Sequence, residues 1–324
     1  MIRWGIIGCG DVTEVKSGPA FNKVKNSSLV AVMRRDATKA KDYAQRHGVS
    51  KWYSDANALI NDPEVTAVYI ATPPSSHEEY TIAALCAGKP VYVEKPMALK
   101  AEAAQRMANA ATEKNIKLVV AHYRREQPMF KKIKQLVADK TIGDIRFAKL
   151  ELYKRSITKE ELEVPKTAWR VNAAIAGGGL FHDLSPHQLD LMYYFFGEAD
   201  SINGIALNQQ GLYNADDIVA GNIVFNNGIL FNGLWCFNVS EQEEKDICEI
   251  VGSKGKIKFS VFGEPKIEMT IEGKKENFLF DTLQHVQQPM IEKVVDYFLD
   301  NVPNPCSAEE GAKVMEMIDR FNSR

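Results

Sequence analysis

The stretch Ile2-Arg3-Trp4-Gly5-Ile6-Ile7-Gly8-Cys9-Gly10-Asp11-Val12-Thr13 decides the fold of this chain. It opens with a compact apolar run that has the residue types of a buried strand. It then reads G-x-G-x-x-T, with Thr13 where the dinucleotide-binding fingerprint prefers Gly or Ala. Gly8 permits the tight turn, and Gly10 lets the backbone approach a pyrophosphate. A plain glycine turn is the alternative, but the position directly after the first strand favours a dinucleotide site.

The second predicted strand, residues 29–33, ends in the basic residues Arg34 and Arg35, with Lys39 close behind. At this strand end an acidic residue bonds the ribose hydroxyls of NAD, whereas basic residues accept the 2′-phosphate of NADP. Because Arg34 comes first after the strand, the sequence predicts NADP. The alternative is that the two arginines are solvated loop charges and that Asp36 takes the ribose of NAD.

Apolar strands and helices alternate through the rest of the first third. Further strands are predicted at residues 65–71, 91–93 and 116–121, with helices ending near residue 87 and covering residues 101–114. Such alternation implies parallel pairing with right-handed crossovers. We therefore predict an α/β chain whose first domain, residues 1–121, is a doubly wound Rossmann sheet.

Glu94-Lys95-Pro96 follows the strand at 91–93 and so lies where ligands bind in open α/β sheets. A lysine there can polarise a carbonyl or help a hydroxyl lose its proton. Pro96 restricts the chain directly after it. A solvent-exposed lysine is the alternative interpretation.

From Tyr123 the pattern changes to strand-like runs joined by turns such as Asn226-Asn227-Gly228. We predict that residues 122–324 form an α+β domain with an open, mainly antiparallel sheet for substrate binding and oligomerisation. Its last helix, from Ala308 to Asn322, could pack back on the first domain, and Ser307 with Glu310 predicts a capping box there.

A long helix predicted at residues 179–196 carries Asp183 and His187 four residues apart on one face. A carboxylate beside an imidazole can fix the ring and tune its pKa, which suits a proton carrier. A purely structural pair is the alternative. A metal site using His182 with these two residues is a weaker rival, because His182 lies on another face of the helix.

The composition excludes several other classes of protein. Of 324 residues, 45% are hydrophobic and 25% charged, with a net charge of -2, so neither nucleic acid nor a membrane is an expected partner. Five scattered cysteines without a CxxC spacing argue against a disulfide framework. Because the chain enters a strand at once, we expect no signal peptide and a cytoplasmic location.

These motifs together resemble the Gfo/Idh/MocA oxidoreductases, named for glucose-fructose oxidoreductase and inositol dehydrogenase. The resemblance covers essentially the whole chain. It rests on the glycine turn, the Ala71-Thr72-Pro73-Pro74 segment with His77, and Glu94-Lys95-Pro96 in the first domain. In the second it rests on Arg125 with Pro128, Ile142-Gly143, Trp169-Arg170, Gly177–Gly179 and Asp183-x3-His187-x2-Asp190.

The resemblance implies several further properties. Lys95, Asp183 and His187 would be catalytic, the Lys95–Pro96 bond would be cis, and the free sheet face would form an interface in a homodimer or homotetramer. The implied substrates are sugars, polyols and their derivatives. The expected substrate-binding residues are Lys95, Arg125, Trp169, Arg170, Asp183 and His187. The expected cofactor-binding residues are Gly8, Gly10, Asp11, Val12, Thr13, Arg34, Arg35, Lys39, Thr72, Pro73, His77, Glu94 and Lys95.

The function we predict is hydride transfer between a nicotinamide cofactor, NADP or else NAD, and a sugar, a polyol or a related carbonyl compound, without a metal. His187 would be the general acid/base, Lys95 would stabilise charge on the reacting oxygen, and Asp183 would orient His187. Two alternatives stay open. One is an enzyme for non-sugar carbonyls or dihydrodiols, and the other is a nucleotide-binding regulator of the same fold without turnover.

Overall fold

A computed structural model describes residues 1–322 of the chain. Residue contacts divide it into two compact units. The first contains Met1–Gln127 and Leu283–Met315, and the second contains Pro128–Thr282 and the residues from Glu316 onward. This division differs from the expected boundary at residue 121, because a long segment near the C-terminus returns to the first unit.

Buried polar contacts explain why this segment belongs to the first unit. The Gln287 amide donates to the Glu94 carboxylate at 2.6 Å, and Arg125 Nη1 lies 2.9 Å from Glu310 Oε1. Ser307 also forms a β-bridge with Val119. Since a sequence pattern reports local periodicity, it carries no signal for contacts over such separations.

The first unit is built on a six-stranded sheet with all neighbours parallel, in the order β3-β2-β1-β4-β5-β6. The strands are β1 (Ile2–Ile7), β2 (Ser27–Met33), β3 (Lys51–Tyr53), β4 (Ala67–Ile70), β5 (Val91–Val93) and β6 (Leu118–Val120). This order confirms the predicted Rossmann topology and creates a crevice beyond the carboxyl ends of β1 and β4. The edge strand β3 was not predicted, because its residues are partly exposed and do not form a buried apolar run like those of β5 and β6.

Helices cover the faces of this parallel sheet. They are α1 (Asp11–Val15), α2 (Ala37–His47), α3 (Ala56–Ile60), α4 (His77–Cys86), α5 (Ala101–Lys114), α11 (Gln288–Phe298) and the first half of α12 (Ala308–Phe321). The Asp36 and Asp55 carboxylates cap α2 and α3. The predicted capping box of α12 is present, since Ser307 and Glu310 bond each other's backbone amides.

The second unit contains an eight-stranded sheet in the order β14-β13-β12-β11-β7-β10-β9-β8. Its strands are β7 (Ile145–Arg155), β8 (Ala199–Leu207), β9 (Ile218–Phe225), β10 (Leu230–Val239), β11 (Lys245–Gly252), β12 (Gly255–Phe259), β13 (Lys266–Ile271) and β14 (Lys274–Leu279). The central pair β7–β10 is parallel and the other pairs are antiparallel, which confirms the predicted, mainly antiparallel sheet.

The helices of the second unit are α6 (Pro128–Ala138), α7 (Lys159–Glu163), α8 (Pro165–Ala168), α9 (Ala173–Ala176), α10 (Gly179–Phe196) and the end of α12. Helix α10 covers one face of the sheet, where Trp235 Nε1 donates to Gln188 Oε1 at 2.6 Å. The rings of Phe181 and Phe321 pack on the same tryptophan. Across residues 1–322, no helix combines the length and the apolar character needed to cross a membrane.

The opposite face of this sheet carries both apolar and charged side chains. Phe231 and Trp235 lie on the covered face, because both are fully buried and Trp235 packs under α10. The large apolar side chains exposed along the sheet are Phe147, Ile205, Leu207, Leu230 and Leu279. Beside them, Glu249 pairs with Lys149 and Lys256 at 2.9 and 3.0 Å.

Candidate active site

The glycine turn after β1 lies against the end of β4. Gly8 has φ +95°, and a Cβ built there would lie 2.8 Å from the Thr72 backbone nitrogen, so only glycine fits. A Cβ on Gly10 would meet no atom nearer than the Gly8 carbonyl oxygen, at 3.9 Å. The backbone at Gly10 is therefore open to close approach, which fits a pyrophosphate.

Thr13, one of the expected cofactor-binding residues, has a structural role in the glycine turn. Its side chain is fully buried, and its hydroxyl donates to the Gly10 carbonyl at 2.8 Å. The Thr13 carbonyl accepts from the Tyr43 hydroxyl at 2.7 Å. Thr13 therefore closes the turn and ties it to α2. Asp11 is exposed and Val12 half-buried, so both remain accessible.

Arg34 follows β2 and is half-buried beside the glycine turn, with Nη1 3.4 Å from the Cys9 carbonyl oxygen. Asp36, the rival ribose ligand, already accepts the Lys39 backbone amide at 3.1 Å. That bond, together with the Lys39 ammonium, lowers the pKa of Asp36. Arg35 and Lys39 are exposed. The positive charge at this strand end is thus accessible, whereas the nearby carboxylate serves as a helix cap.

His77, one of the expected cofactor-binding residues, lies inside the first unit. Its ring is fully buried, which lowers its pKa. Nε2 lies 2.7 Å from the Thr72 carbonyl oxygen, and Nδ1 lies 3.0 Å from that of Pro96. The ring therefore joins the segment after β4 to the segment after β5. Thr72 and Pro73 themselves are half-buried at the sheet edge.

Glu94 supports Lys95 from inside the first unit. Its buried carboxylate accepts from the Tyr69 hydroxyl at 2.5 Å, from Gln287 at 2.6 Å and from the Lys95 backbone amide at 3.1 Å. Lys95 itself is half-buried, and its bond to Pro96 is cis, as the resemblance implied. The backbone that carries the lysine is thus fixed by a buried polar network.

Arg125, one of the expected substrate-binding residues, is buried in the first unit. Only 2% of its side chain is accessible, and it pairs with Glu310 of the α12 capping box. Its expected role in substrate binding stays a prediction. A guanidinium that is buried beside a carboxylate in this way holds the start of α12 in place.

Helix α10 presents Asp183 and His187 on one face, as the sequence predicted. Asp183 is partly exposed, and its Oδ2 lies 3.4 Å from Nε of Arg170. His187 is buried, with 5% of its surface accessible, and its ring meets that of Phe262 edge to face at 5.6 Å. A carboxylate one turn from a shielded imidazole is an arrangement suited to proton transfer.

Arg170 and Trp169 lie in a short turn before α9. The guanidinium carbon of Arg170 is 5.4 Å from the Trp169 ring centroid, close enough for a cation–π contact. Both side chains are half-buried. The ion pair with Asp183 was not expected from the sequence, since only the fold brings the two segments together.

His182 belongs to another environment. A Cβ on Gly177 or Gly178 would lie 2.6 or 2.3 Å from its ring, so these glycines pack directly on the imidazole. His187 instead faces Phe262. Within residues 1–322, no group of three histidine, cysteine, aspartate or glutamate side chains is placed to hold a metal ion.

Comparison with known proteins identifies the class. A family model described as "Oxidoreductase family, NAD-binding Rossmann fold" matches residues 2–122, and one described as "GFO/IDH/MocA C-terminal domain" matches residues 130–258. "Oxidoreductase P35" of Formosa agariphila is 46% identical over 99% of this chain and 98% of its own length. "1,5-Anhydro-D-fructose reductase" of Ensifer adhaerens is 28% identical over 71% of this chain and 68% of its own.

Among solved structures, a levoglucosan dehydrogenase in complex with NADH and levoglucosan superposes with a TM-score of 0.88. It is 22% identical and covers 99% of this chain and 95% of its own, which supports the fold. The chain is thus an NAD(P)-dependent oxidoreductase with a Rossmann unit. It belongs to the Gfo/Idh/MocA family.

Proposed function

We propose that this protein transfers a hydride between NADP and a carbon that carries a hydroxyl or carbonyl group in a sugar or polyol. The observation that carries the proposal is the buried His187 one turn from Asp183 on α10. The sugar class is supported by the relative from Ensifer adhaerens, whose name describes an anhydro-sugar reductase.

Each polar side chain has a defined role in this proposal. The bound nicotinamide supplies or accepts the hydride, so the protein has to place the substrate and move one proton. His187 is the general acid/base for the substrate oxygen. Lys95 donates a hydrogen bond to that oxygen and stabilises its negative charge. Asp183 orients the imidazole and can bind a substrate hydroxyl, while Trp169 and Arg170 line the sugar pocket.

The preference for NADP is supported by charge at the end of β2. Arg34 is half-buried beside the glycine turn, and Arg35 is exposed next to it. Asp36 is engaged by the α2 amide that it caps. A guanidinium binds a phosphate monoester through charge-assisted hydrogen bonds, which the ribose hydroxyl of NAD does not offer.

We also propose that the protein forms a homodimer or homotetramer through the free face of the eight-stranded sheet. The exposed Phe147, Leu207 and Leu230 support this, because exposed apolar patches often mark interfaces. The neighbouring ion pairs of Glu249 would form the polar part of such an interface. Sedimentation that finds only monomer at micromolar concentration would contradict this part of the proposal.

Turnover followed at 340 nm tests the enzymatic proposal. Purified protein is incubated with NADPH or NADH and a panel of keto-sugars, and with NADP or NAD and a panel of sugars and polyols. We expect turnover of at least one sugar, faster with the phosphorylated cofactor. Turnover of aromatic diketones or dihydrodiols alone would overturn the sugar class. Tight NADPH binding with no turnover of any compound would favour a nucleotide-binding regulator.

A further inference from the structure

The loop between β12 and β13 is held by a single carboxylate. Asp246 of β11 accepts the backbone amide of Val261 at 3.2 Å through Oδ1, and those of Phe262 and Gly263 at 2.6 and 3.1 Å through Oδ2. The Ser260 hydroxyl donates to the Asp246 carbonyl at 2.8 Å. Four hydrogen bonds thus fix four consecutive loop residues to one residue of the neighbouring strand.

This loop carries the aromatic ring that meets His187. Phe262 is half-buried, with its ring centroid 5.6 Å from that of the imidazole and the two planes at 74°. Val261 is buried on the other side of the loop backbone. Edge-to-face aromatic pairs have a preferred geometry, so a fixed Phe262 restricts the orientation of the His187 ring and shields it from water.

We propose that Asp246 is a positioning residue for the reaction: through its loop amides it places Phe262 against His187 and so fixes the orientation of the proton carrier. Bonds from backbone amides to an ionised carboxylate are shorter and stronger than neutral ones. They hold the loop through its backbone, so the Phe262 ring takes no part in them. The role of the ring in turnover rests on His187 being the general acid/base, as proposed above.

An asparagine cannot replace the carboxylate here. Its amide nitrogen is a donor and would face either the Val261 amide or the amides of Phe262 and Gly263, so one side of this carboxylate clamp is lost. Misplacing a reacting group by about 1 Å can cost about a hundredfold in rate. We therefore expect Asp246→Asn and Phe262→Leu each to lower kcat about ten- to a hundredfold, with little change in NADPH affinity.

A double-mutant cycle separates positioning from general loss of structure. If Asp246 acts through Phe262, the variant with both substitutions has about the kcat of the more impaired single variant. Asp62→Asn is the matched control, because it also removes a carboxylate that binds a backbone amide, but in the first unit before β4. It should cost stability and leave kcat unchanged. If the kcat losses of Asp246→Asn and Phe262→Leu multiplied in the double variant, the inference would be overturned.

Proton NMR of the histidine rings gives a readout that does not depend on activity. The chain has six histidines, and the His187 signal is assigned by its loss in His187→Gln. Removing the Phe262 ring changes the ring-current shift of the His187 protons. We expect Asp246→Asn to move this signal toward its position in Phe262→Leu, and Ser260→Ala to move it less in the same direction.

The two readouts distinguish this inference from the proposed function. Full activity in His187→Ala would contradict the role of His187, whereas the NMR result would still report the clamp. A His187 signal unchanged in both Asp246→Asn and Ser260→Ala would overturn the clamp even if His187→Ala were inactive. Should Asp246→Asn fail to fold, Ser260→Ala and Phe262→Leu carry both measurements.

Discussion

Nε of Arg170 lies 3.4 Å from Oδ2 of Asp183, so the carboxylate on the face of α10 has a cationic partner from a different segment. Both side chains are about one-quarter to one-third exposed, and such pairs contribute at most about 1 kcal/mol to stability. The pair therefore matters more for orienting Asp183 than for folding the second unit.

The first prediction concerns this pair. Arg170→Ala should lower kcat/KM about tenfold, equivalent to about 1.4 kcal/mol, while the melting temperature changes little. Arg170→Lys should recover only part of the loss, because an ammonium lacks the planar fork of a guanidinium. Asp183→Asn should be milder than His187→Ala if Asp183 only orients the ring. Steady-state kinetics with unchanged kcat/KM in Arg170→Ala would show that the pair has no catalytic role.

The second prediction concerns the cofactor. Unmodified protein should bind NADPH more tightly than NADH, and Arg34→Asp should reverse the order, because it replaces a phosphate partner with a carboxylate that bonds ribose hydroxyls. A charge-assisted bond of about 1.5–3 kcal/mol corresponds to about ten- to a hundredfold in affinity. Fluorescence titration with both nucleotides measures this. Lys41→Asp, an exposed charge change on α2, is the control, and equal affinities in the unmodified protein would contradict the assignment.

The third prediction concerns acid stability. Asp62 has a pKa of about 2, because Lys51, the Tyr53 hydroxyl and the Glu64 amide bind its carboxylate. The pKa of Asp62 is lower in the folded than in the unfolded protein. Its contribution to the free energy of unfolding is therefore complete above about pH 5 and is lost as the pH falls toward 2. Asp62→Asn should lower the free energy of unfolding at pH 7 by about 2 kcal/mol. The free energies of unfolding measured in urea for the unmodified protein and for Asp62→Asn should converge near pH 2. A constant difference between them from pH 7 to pH 2 would contradict the assignment.

The fourth prediction concerns two glycines that contact the end of α12. A Cβ on Gly221 would lie 2.7 Å from the Phe321 ring, and one on Gly204 would lie 2.4 Å from the Phe321 Cα. Each Gly→Ala substitution should destabilise the protein by about 1–3 kcal/mol through overpacking. In a Phe321→Leu background the cost of Gly221→Ala should shrink, because its clash is with the ring. The cost of Gly204→Ala should remain, because its clash is with the backbone. Thermal unfolding measures these costs. If Phe321→Leu reduced the cost of Gly221→Ala and of Gly204→Ala equally, the result would contradict this packing.

Local pattern predicted much of the fold. The bounds of α5 and α10 match the sequence prediction, because each helix has consistent spacing and a glycine or asparagine at its end. The edge strand β3 has no buried residue, so it does not give such a pattern. The return of residues 283–315 to the first unit depends on partners such as Glu94 and Gln287, which lie far apart in the chain.

For the candidate site, too, local pattern predicts single residues but not the contacts between distant segments. The motifs identified Lys95, Asp183 and His187, because spacing and strand ends place such residues. Burial is a tertiary property, however, so the sequence could not show that His77, Thr13 and Arg125 lie inside the protein. It also carried no sign of the Asp246 clamp, which exists only because β11 and β12 are neighbours in the sheet.

The central claim is that Lys95 and His187 act on the reacting oxygen of the substrate. Losing one preorganised donor to a developing oxyanion costs on the order of 10²–10³ in rate, and losing a general acid/base costs on the order of 10²–10⁴. Lys274→Ala, an exposed lysine of β14, is the control and should keep full activity.

The most direct measurement compares kcat with NADPH affinity in Lys95→Ala and His187→Ala. We predict that each variant loses at least about a hundredfold in kcat, while its dissociation constant for NADPH stays close to that of the unmodified protein. Near-full turnover in Lys95→Ala combined with weak NADPH binding would make the lysine a cofactor residue and contradict the account.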